Sequence, residues 1–143
     1  MGYTKLDANL KGKMAWEMDI NGHTFITDAT EEIGGENRGP SPKVLLLAGL
    51  IGCTGVDVKM ILDKMKVELS HMQISVEADS SDTHPKVYTR IHLIYTFFGK
   101  DLPLDKLERA VKLSKDRYCG VSAMLNKAAP ITYEIVVKKE VEA

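Results

Sequence analysis

Apolar and polar residues alternate through the first part of the chain, from Tyr3 to Asp28, and this period of two is typical of β-strands. The alternation breaks at Lys11-Gly12 and again at Asn21-Gly22, where Asn-Gly is a strong signal for a two-residue hairpin turn. The stretch GGENRGPSP, residues 34–42, is rich in glycine and proline and is typical of a loop. We therefore predict three short antiparallel strands followed by a loop.

The apolar residues recur at helical spacing from Lys43 to Lys66, and the polar residues of this stretch lie mostly in its second half. Ser41 is a suitable N-cap, and Pro42 suits the first helical position. The first half of the helix is apolar nearly all round. We therefore expect it to be buried on all sides.

The remainder of the chain combines two more strands, two more helices and a final strand. Alternation at 72–78 and 87–95 predicts the strands, and LPLDKLERAVKLSK after them predicts an amphipathic helix. The helical pattern breaks around Tyr118-Cys119-Gly120 and restarts as a short third helix, before residues 131–137 alternate as a last strand. The order βββ-α-ββ-αα-β predicts an α+β fold.

Length and charge narrow the class of protein. The chain has 143 residues, so we expect residues 1–143 to form a single domain. Its 19 Lys and Arg are interspersed with 20 Asp and Glu, which argues against nucleic acid or an anionic membrane as the main partner.

The polar N-terminus, MGYTKLDANLKGK, does not resemble a signal peptide, and we expect a cytoplasmic protein. Two cysteines in a reducing compartment are free, metal-bound or redox-active.

Three glycines are unusual in the long helix, because each costs a helix interior about 1 kcal/mol relative to alanine. Gly49, Gly52 and Gly55 recur every third residue and form a groove that another backbone can approach closely. A second copy of the helix in a homodimer is one candidate for this groove. The alternative is that the third helix or a sheet of the same chain fills it.

The two cysteines lie in different environments. Cys53 lies in the groove region and faces the same way as Asp57, and taken alone it is typical of a small buried apolar residue. Cys119 lies where one helix stops and the next begins, just after Arg117. The helix N-terminus and the arginine should lower the pKa of Cys119 from about 8.5. The alternative is a cysteine that only caps the helix junction.

Other catalytic chemistry has little support in the sequence. The four histidines lie in separate segments, and neither CxxC nor HxxxH spacing occurs, so we expect no metal site. The glycine-rich loop lacks the spacing of a phosphate-binding loop. It does carry Arg38, either as a guanidinium held just ahead of the cysteine helix or as a solvent-facing charge.

The segments GPSPKVLLLAGLIGCTGVDV and RYCGVSAMLNKAAPITYEI resemble the OsmC/Ohr family of thiol-dependent peroxidases. The resemblance implies an intertwined homodimer with the central helices buried at its interface, and an apolar pocket that favours alkyl or lipid peroxides. It implies that Cys53 attacks an organic hydroperoxide and becomes a sulfenic acid, which Cys119 resolves as a disulfide. A dithiol such as dihydrolipoamide would then reduce the disulfide, and neither a metal nor a tightly bound organic cofactor is expected.

One position departs from the family pattern. Lys43 stands where typical members have a glutamate that holds an arginine over the reactive thiolate. Either Arg38 or Lys43 could supply the positive charge that favours the Cys53 thiolate, and we expect a slower or differently tuned peroxidase. The alternative function is a non-catalytic dimer that binds a small apolar ligand, with the cysteines as a redox sensor or as part of the core.

Overall fold

Three short strands open the computed structural model, which describes residues 2–139. Strands β1 (Asp7–Leu10), β2 (Trp16–Ile20) and β3 (His23–Thr27) form an antiparallel sheet in that order. The chain divides into two compact units, the first ending at Ala48 and the second beginning at Gly49. The prediction of a single domain over residues 1–143 therefore stays a prediction.

The hairpin between β2 and β3 has the turn that the sequence predicts. Asn21 and Gly22 have φ values of 50° and 80°, which matches a type I′ turn between the paired residues Ile20 and His23. A short 3-10 turn at Glu31–Ile33 follows β3. The predicted loop then leads to the long helix.

The buried side chain of Asp28 organises this loop. Its Oδ1 accepts the backbone N–H of Ala29 at 2.7 Å, and its Oδ2 accepts those of Glu36 at 3.2 Å and Arg38 at 3.1 Å. Gly39 packs against backbone, because a Cβ built on it would lie 1.9 Å from the Ile26 carbonyl oxygen. The loop therefore has a defined conformation, fixed by one carboxylate and by close backbone packing.

Helix α1 (Val44–Lys64) buries a single stripe of side chains. The stripe has a spacing of three and four residues and comprises Leu47, Leu50, Thr54, Val58 and Leu62. Within one chain this differs from the expectation of burial on all sides, because Val44, Leu46, Val56 and Met60 remain about half exposed or more.

Helix α1 also has the length and composition of a membrane-spanning helix, with a mean hydropathy of 1.9 over its most apolar window. Only 22% of that window is buried within the chain. A core helix of a soluble protein satisfies the same criterion, so this property alone does not indicate a membrane protein.

The second unit contains a sheet with the order β4-β5-β6, formed by β4 (His71–Ser80), β5 (Tyr88–Phe98) and β6 (Ile131–Lys138). The central strand β5 is antiparallel to β4 and parallel to β6. A parallel pair needs a long crossover, and here it consists of α2 (Leu104–Leu113), a π-helical segment (Ser114–Tyr118) and α3 (Gly120–Leu125).

The core of the second unit is centred on β5. Thr54 of helix α1 contacts Tyr95 of this strand. The almost completely buried side chains of β5 are Ile91, Leu93, Tyr95 and Phe97, and those of α2 are Leu107, Ala110 and Val111. The predicted α+β fold class is confirmed, and the observed elements are consistent with the predicted order.

Candidate active site

The fold of the second unit brings the two cysteines together. Cys53 lies half-buried on α1, and Cys119 is 3% exposed at the start of α3; both are free thiols. Their Sγ atoms and a carboxylate oxygen of Asp57 all lie within 4.8 Å of one another. A disulfide needs a sulfur–sulfur distance of about 2.05 Å, so a short side-chain movement would join the pair.

The end of α2 determines where Cys119 lies. The chain passes from α2 into the π-helical segment, and the backbone N–H of Cys119 donates to the Ser114 carbonyl at 2.8 Å. Cys119 then adopts an extended conformation as the N-cap of α3, where its Sγ accepts the backbone N–H of Ser122 at 3.3 Å. A π-helical turn is rare and occurs often at functional sites, and here it directs the thiol towards α1.

The expectation of a lowered pKa for Cys119 is wrong. Burial raises the pKa of the Cys119 thiol, because desolvation outweighs the stabilising hydrogen bond from Ser122. The Arg117 guanidinium carbon lies 5.6 Å from the centre of the Tyr118 ring, in a cation–π contact. At neutral pH Cys119 is therefore mainly a thiol.

A chain of buried hydroxyl groups leads from the core to the cysteine pair. The Tyr95 hydroxyl lies 2.7 Å from Thr54 Oγ1, which lies 2.8 Å from Ser114 Oγ. Ser114 Oγ in turn donates to Asp57 Oδ2 at 3.1 Å. A carboxylate only accepts hydrogen bonds, so Ser114 donates to Asp57, Thr54 donates to Ser114, and Tyr95 donates to Thr54. Burial raises the pKa of Tyr95 to about 12, which keeps its hydroxyl a donor.

Sequence reasoning assigned no role to this hydroxyl chain or to Asp57. The four-residue spacing from Cys53 to Asp57 places both residues on one face of α1, and this spacing is the feature of the sequence that could have indicated Asp57 as part of the site. Thr54, Ser114 and Tyr95 come from three different elements, so only the tertiary fold brings them together.

An open cavity of about 490 Å³ adjoins the site. Asp57 and Tyr118 line it together with one basic residue, Lys64. The rest of the lining is apolar and comprises Met60, Ile61, Met65 and Leu113. The volume lies within the range of ligand pockets, and the flexible methionines suit apolar ligands of varied shape.

The two candidate activating charges belong to the first unit. The Arg38 guanidinium donates from Nη1 to the Lys11 carbonyl oxygen, and its backbone N–H is bound by Asp28. Lys43 is half-buried immediately before α1 begins. The role of either residue in activating Cys53 stays a prediction.

Comparison with known proteins identifies the class to which this fold and site belong. The family model described as OsmC-like protein matches residues 35–134. Protein YhfA of Escherichia coli is 32% identical over 118 residues, which cover 81% of this chain and 85% of YhfA. The chain therefore belongs to the OsmC-like protein family.

Solved structures agree with this assignment. A hypothetical protein from Aquifex aeolicus matches with a TM-score of 0.83 and 29% identity, over 97% of this chain and 100% of that one. The organic hydroperoxide resistance protein OhrB of Bacillus subtilis matches with a TM-score of 0.64 and 18% identity, over 93% and 98% of the two chains. At that identity the second match shows a shared fold.

Proposed function

We propose that this protein is a thiol-dependent peroxidase that reduces organic hydroperoxides through Cys53 and Cys119. The observation that carries the proposal is the approach of the two Sγ atoms to within 4.8 Å, from residues far apart in the sequence. Membership of the OsmC-like family supports a redox role, and the fold shared with the organic hydroperoxide resistance protein of Bacillus subtilis supports this substrate class.

In the first step the Cys53 thiolate attacks the terminal oxygen of the hydroperoxide. The sulfur–oxygen bond forms while the oxygen–oxygen bond breaks, and the alcohol leaves after it takes up a proton. Cys119 then attacks the sulfenic sulfur, so that a disulfide forms and hydroxide leaves as water. The two thiols supply the two electrons that reduce the peroxide, and an external dithiol, such as a lipoyl group, restores them.

The environment of Cys119 favours a slow second step. Only the thiolate attacks a sulfenic acid efficiently, and burial of Cys119 keeps most of the population protonated at neutral pH. A slow second step would be one way for the peroxidase to be slower, and it is separate from the effect that we expect from Lys43. The positive charge that favours the Cys53 thiolate is proposed to come from Arg38 or Lys43. An unchanged peroxide rate in Arg38→Met would remove Arg38 from the site.

The cavity beside Asp57 supports an alkyl or lipid hydroperoxide as substrate in preference to hydrogen peroxide. Its lining of methionine, isoleucine and leucine would bind an alkyl chain, whereas hydrogen peroxide has no apolar part to bury. Lys64 at the same cavity could hold an acidic group of the substrate.

The proposal includes a homodimer in the cytoplasm, with α1 at the interface. Apart from the adjoining residues and backbone of α1 itself, no heavy atom of the described residues lies within 4 Å of a Cβ built on Gly49 or Gly52, so the described residues do not fill this part of the groove. The half-exposed Leu46, Val56 and Met60 lie on the same helix. A second copy of α1 would cover this apolar surface, and a sedimentation experiment that finds only monomer at micromolar concentration would remove the dimer.

A stopped-flow thiol titration tests the peroxidase directly. Reduced protein is mixed with cumene hydroperoxide or hydrogen peroxide, free thiols are counted over time, and any disulfide is mapped by mass spectrometry. We expect both thiols to be lost, a Cys53–Cys119 disulfide to form, and the organic peroxide to react faster. Survival of both thiols in a large excess of either peroxide would overturn the proposal.

A second candidate function is binding of a small apolar ligand without catalysis. The apolar cavity favours this function because its lining suits an apolar ligand. The raised pKa of the buried Cys119 also favours this function, because a protonated thiol is compatible with a cysteine that is part of the core or acts as a redox sensor. Saturable binding of a fluorescent fatty acyl probe, with thiols that stay intact in peroxide, would support this function over the peroxidase.

A further inference from the structure

Three metal-ligating groups converge at the cysteine pair. The Sγ atoms of Cys53 and Cys119 and a carboxylate oxygen of Asp57 lie within 4.8 Å of one another. Thiolates and carboxylates bind Zn²⁺ at about 2.3 Å and 2.0–2.2 Å, so a tetrahedral site holds such atoms roughly 3.6–3.8 Å apart. Small side-chain rotations would close the remaining difference of about 1 Å.

The backbone elements that carry these groups are well suited to a metal site. Cys53 and Asp57 are four residues apart on α1, the spacing at which two ligands on one helix face reach the same metal ion. Cys119 approaches from the N-terminus of α3. Three protein ligands from two helices leave a fourth position for water, as in zinc sites with an open coordination position.

Neighbouring groups already orient two of the three ligands. Ser114 Oγ donates to Asp57 Oδ2 at 3.1 Å and so helps to orient the carboxylate. The backbone N–H of Ser122 donates to the Cys119 sulfur, an interaction that stabilises a metal-bound thiolate. Hydrogen bonds of this kind around the ligands fix their orientation and increase metal affinity.

The charge of the cluster points in the same direction. A cysteine thiol releases its proton when it binds a metal ion, so the two sulfur atoms and the Asp57 carboxylate would together form an anionic donor set. A divalent ion would offset most of this charge, and soft sulfur ligands select for Zn²⁺ over Mg²⁺ or Ca²⁺.

We propose that the reduced protein binds one Zn²⁺-like divalent cation through Cys53, Asp57 and Cys119. The site is independent of the peroxidase proposal, since it needs the reduced thiols and not their reaction with peroxide. Oxidation of the pair to a disulfide removes both sulfur ligands, so the metal-bound and disulfide forms exclude each other.

The test uses the full chain, reduced with a phosphine, freed of metal with a chelator and then separated from both reagents. Zn²⁺ is titrated against a chromogenic chelator, and Co²⁺ is added separately to record its absorption spectrum. We expect one Zn²⁺ per chain, and a near-ultraviolet sulfur-to-cobalt charge-transfer band with the visible intensity of a tetrahedral ion. Reduced protein that binds no stoichiometric Zn²⁺, or lacks that band with Co²⁺, would overturn the proposal.

Variants separate a three-ligand site from a simple dithiol. Asp57→Asn should weaken Zn²⁺ binding at least roughly tenfold, while the control Asp63→Asn, an exposed position on the same helix, should bind as the original chain does. The amide oxygen introduced by Asp57→Asn can still accept the Ser114 hydrogen bond, and circular dichroism checks the fold. Equal affinity in the two variants would overturn the role of Asp57.

The original chain with alkylated thiols provides a test that needs no substitution. Alkylation blocks both sulfur ligands, and we expect it to abolish Zn²⁺ binding. Stoichiometric binding that survives alkylation would place the metal elsewhere and overturn the site.

Discussion

The Sγ atoms of Cys53 and Cys119 lie within 4.8 Å of each other, although the two residues are 66 positions apart (119 minus 53). Cys53 is carried by α1 and Cys119 by the junction between α2 and α3. This junction is part of the crossover that joins β5 to β6, and the crossover places Cys119 beside α1. The pair is therefore a product of the topology of the second unit.

The first prediction separates the roles of the two thiols. In Cys119→Ser we expect an organic hydroperoxide to consume the remaining thiol and leave a sulfenic acid on Cys53, which a dimedone-type reagent traps for mass spectrometry. Serine is a good N-cap, so α3 should be retained. In Cys53→Ser we expect no rapid oxidation of Cys119, because burial raises the pKa of that thiol. Equal oxidation rates in the two variants would contradict the assignment.

The hydroxyl chain gives a prediction about stability. Thr54→Val keeps the shape of the side chain but removes its hydrogen bonds with Tyr95 and Ser114, whose buried groups lose a partner. We expect the free energy of unfolding in urea to fall by about 1–3 kcal/mol. The control Thr24→Val, at an exposed position, should change it by about 0.5 kcal/mol or less.

A double-mutant cycle tests whether the hydrogen-bonded hydroxyl groups of Thr54 and Tyr95 stabilise the fold cooperatively. We expect Thr54→Val combined with Tyr95→Phe to cost less than the two single changes added together, because the second change removes a hydroxyl that the first has left unpaired. Strictly additive costs would show that Thr54 and Tyr95 do not depend on each other.

Local sequence signals and tertiary contacts explain which features could be predicted. The Asn21-Gly22 turn was predictable because two adjacent residues determine it, and helix α1 because its periodicity extends over many residues. The pKa of Cys119 was predicted in the wrong direction, because a helix end is visible in the sequence and burial is not. The link from Tyr95 to Asp57 could not be predicted, since no local pattern relates β5, α1 and the end of α2.

Tyr95 predicts how stability depends on alkaline pH. Its pKa rises from 10.0 to about 12 on folding, so its contribution is complete below pH 10 and is lost as the pH rises through 12. This loss amounts to about 2–3 kcal/mol. Tyr95→Phe should be less stable at pH 7, but its disadvantage should shrink between pH 10 and pH 12. Urea unfolding of both proteins across this range measures the effect, and a constant difference would contradict it.

The lowered pKa of Asp28 leads us to expect the opposite dependence of stability on pH, with a loss of stability in acid. Burial opposes ionisation of this carboxyl, but the backbone N–H groups of Arg38, Ala29 and Glu36 outweigh burial and lower its pKa below 3.8. Its contribution to stability is therefore present above that value and is lost as the pH falls through the lowered pKa. Asp28→Asn should lower the melting temperature at pH 7, and the difference should narrow in acid. The exposed control Asp19→Asn should show neither effect.

The glycine groove predicts opposite effects on the helix and on the dimer. Apart from the adjoining residues and backbone of α1, no described atom lies within 4 Å of a Cβ built on Gly52, so Gly52→Ala should stabilise α1 itself by about 0.5–1 kcal/mol. If a second α1 packs against this groove, the same methyl group would hold the helices apart and weaken the dimer. Sedimentation equilibrium should then show a raised dissociation constant. Unfolding should be followed at a concentration where both proteins are monomeric, so that the gain in helix stability is measured separately. A variant that dimerises as well as the original chain would place the interface away from Gly52.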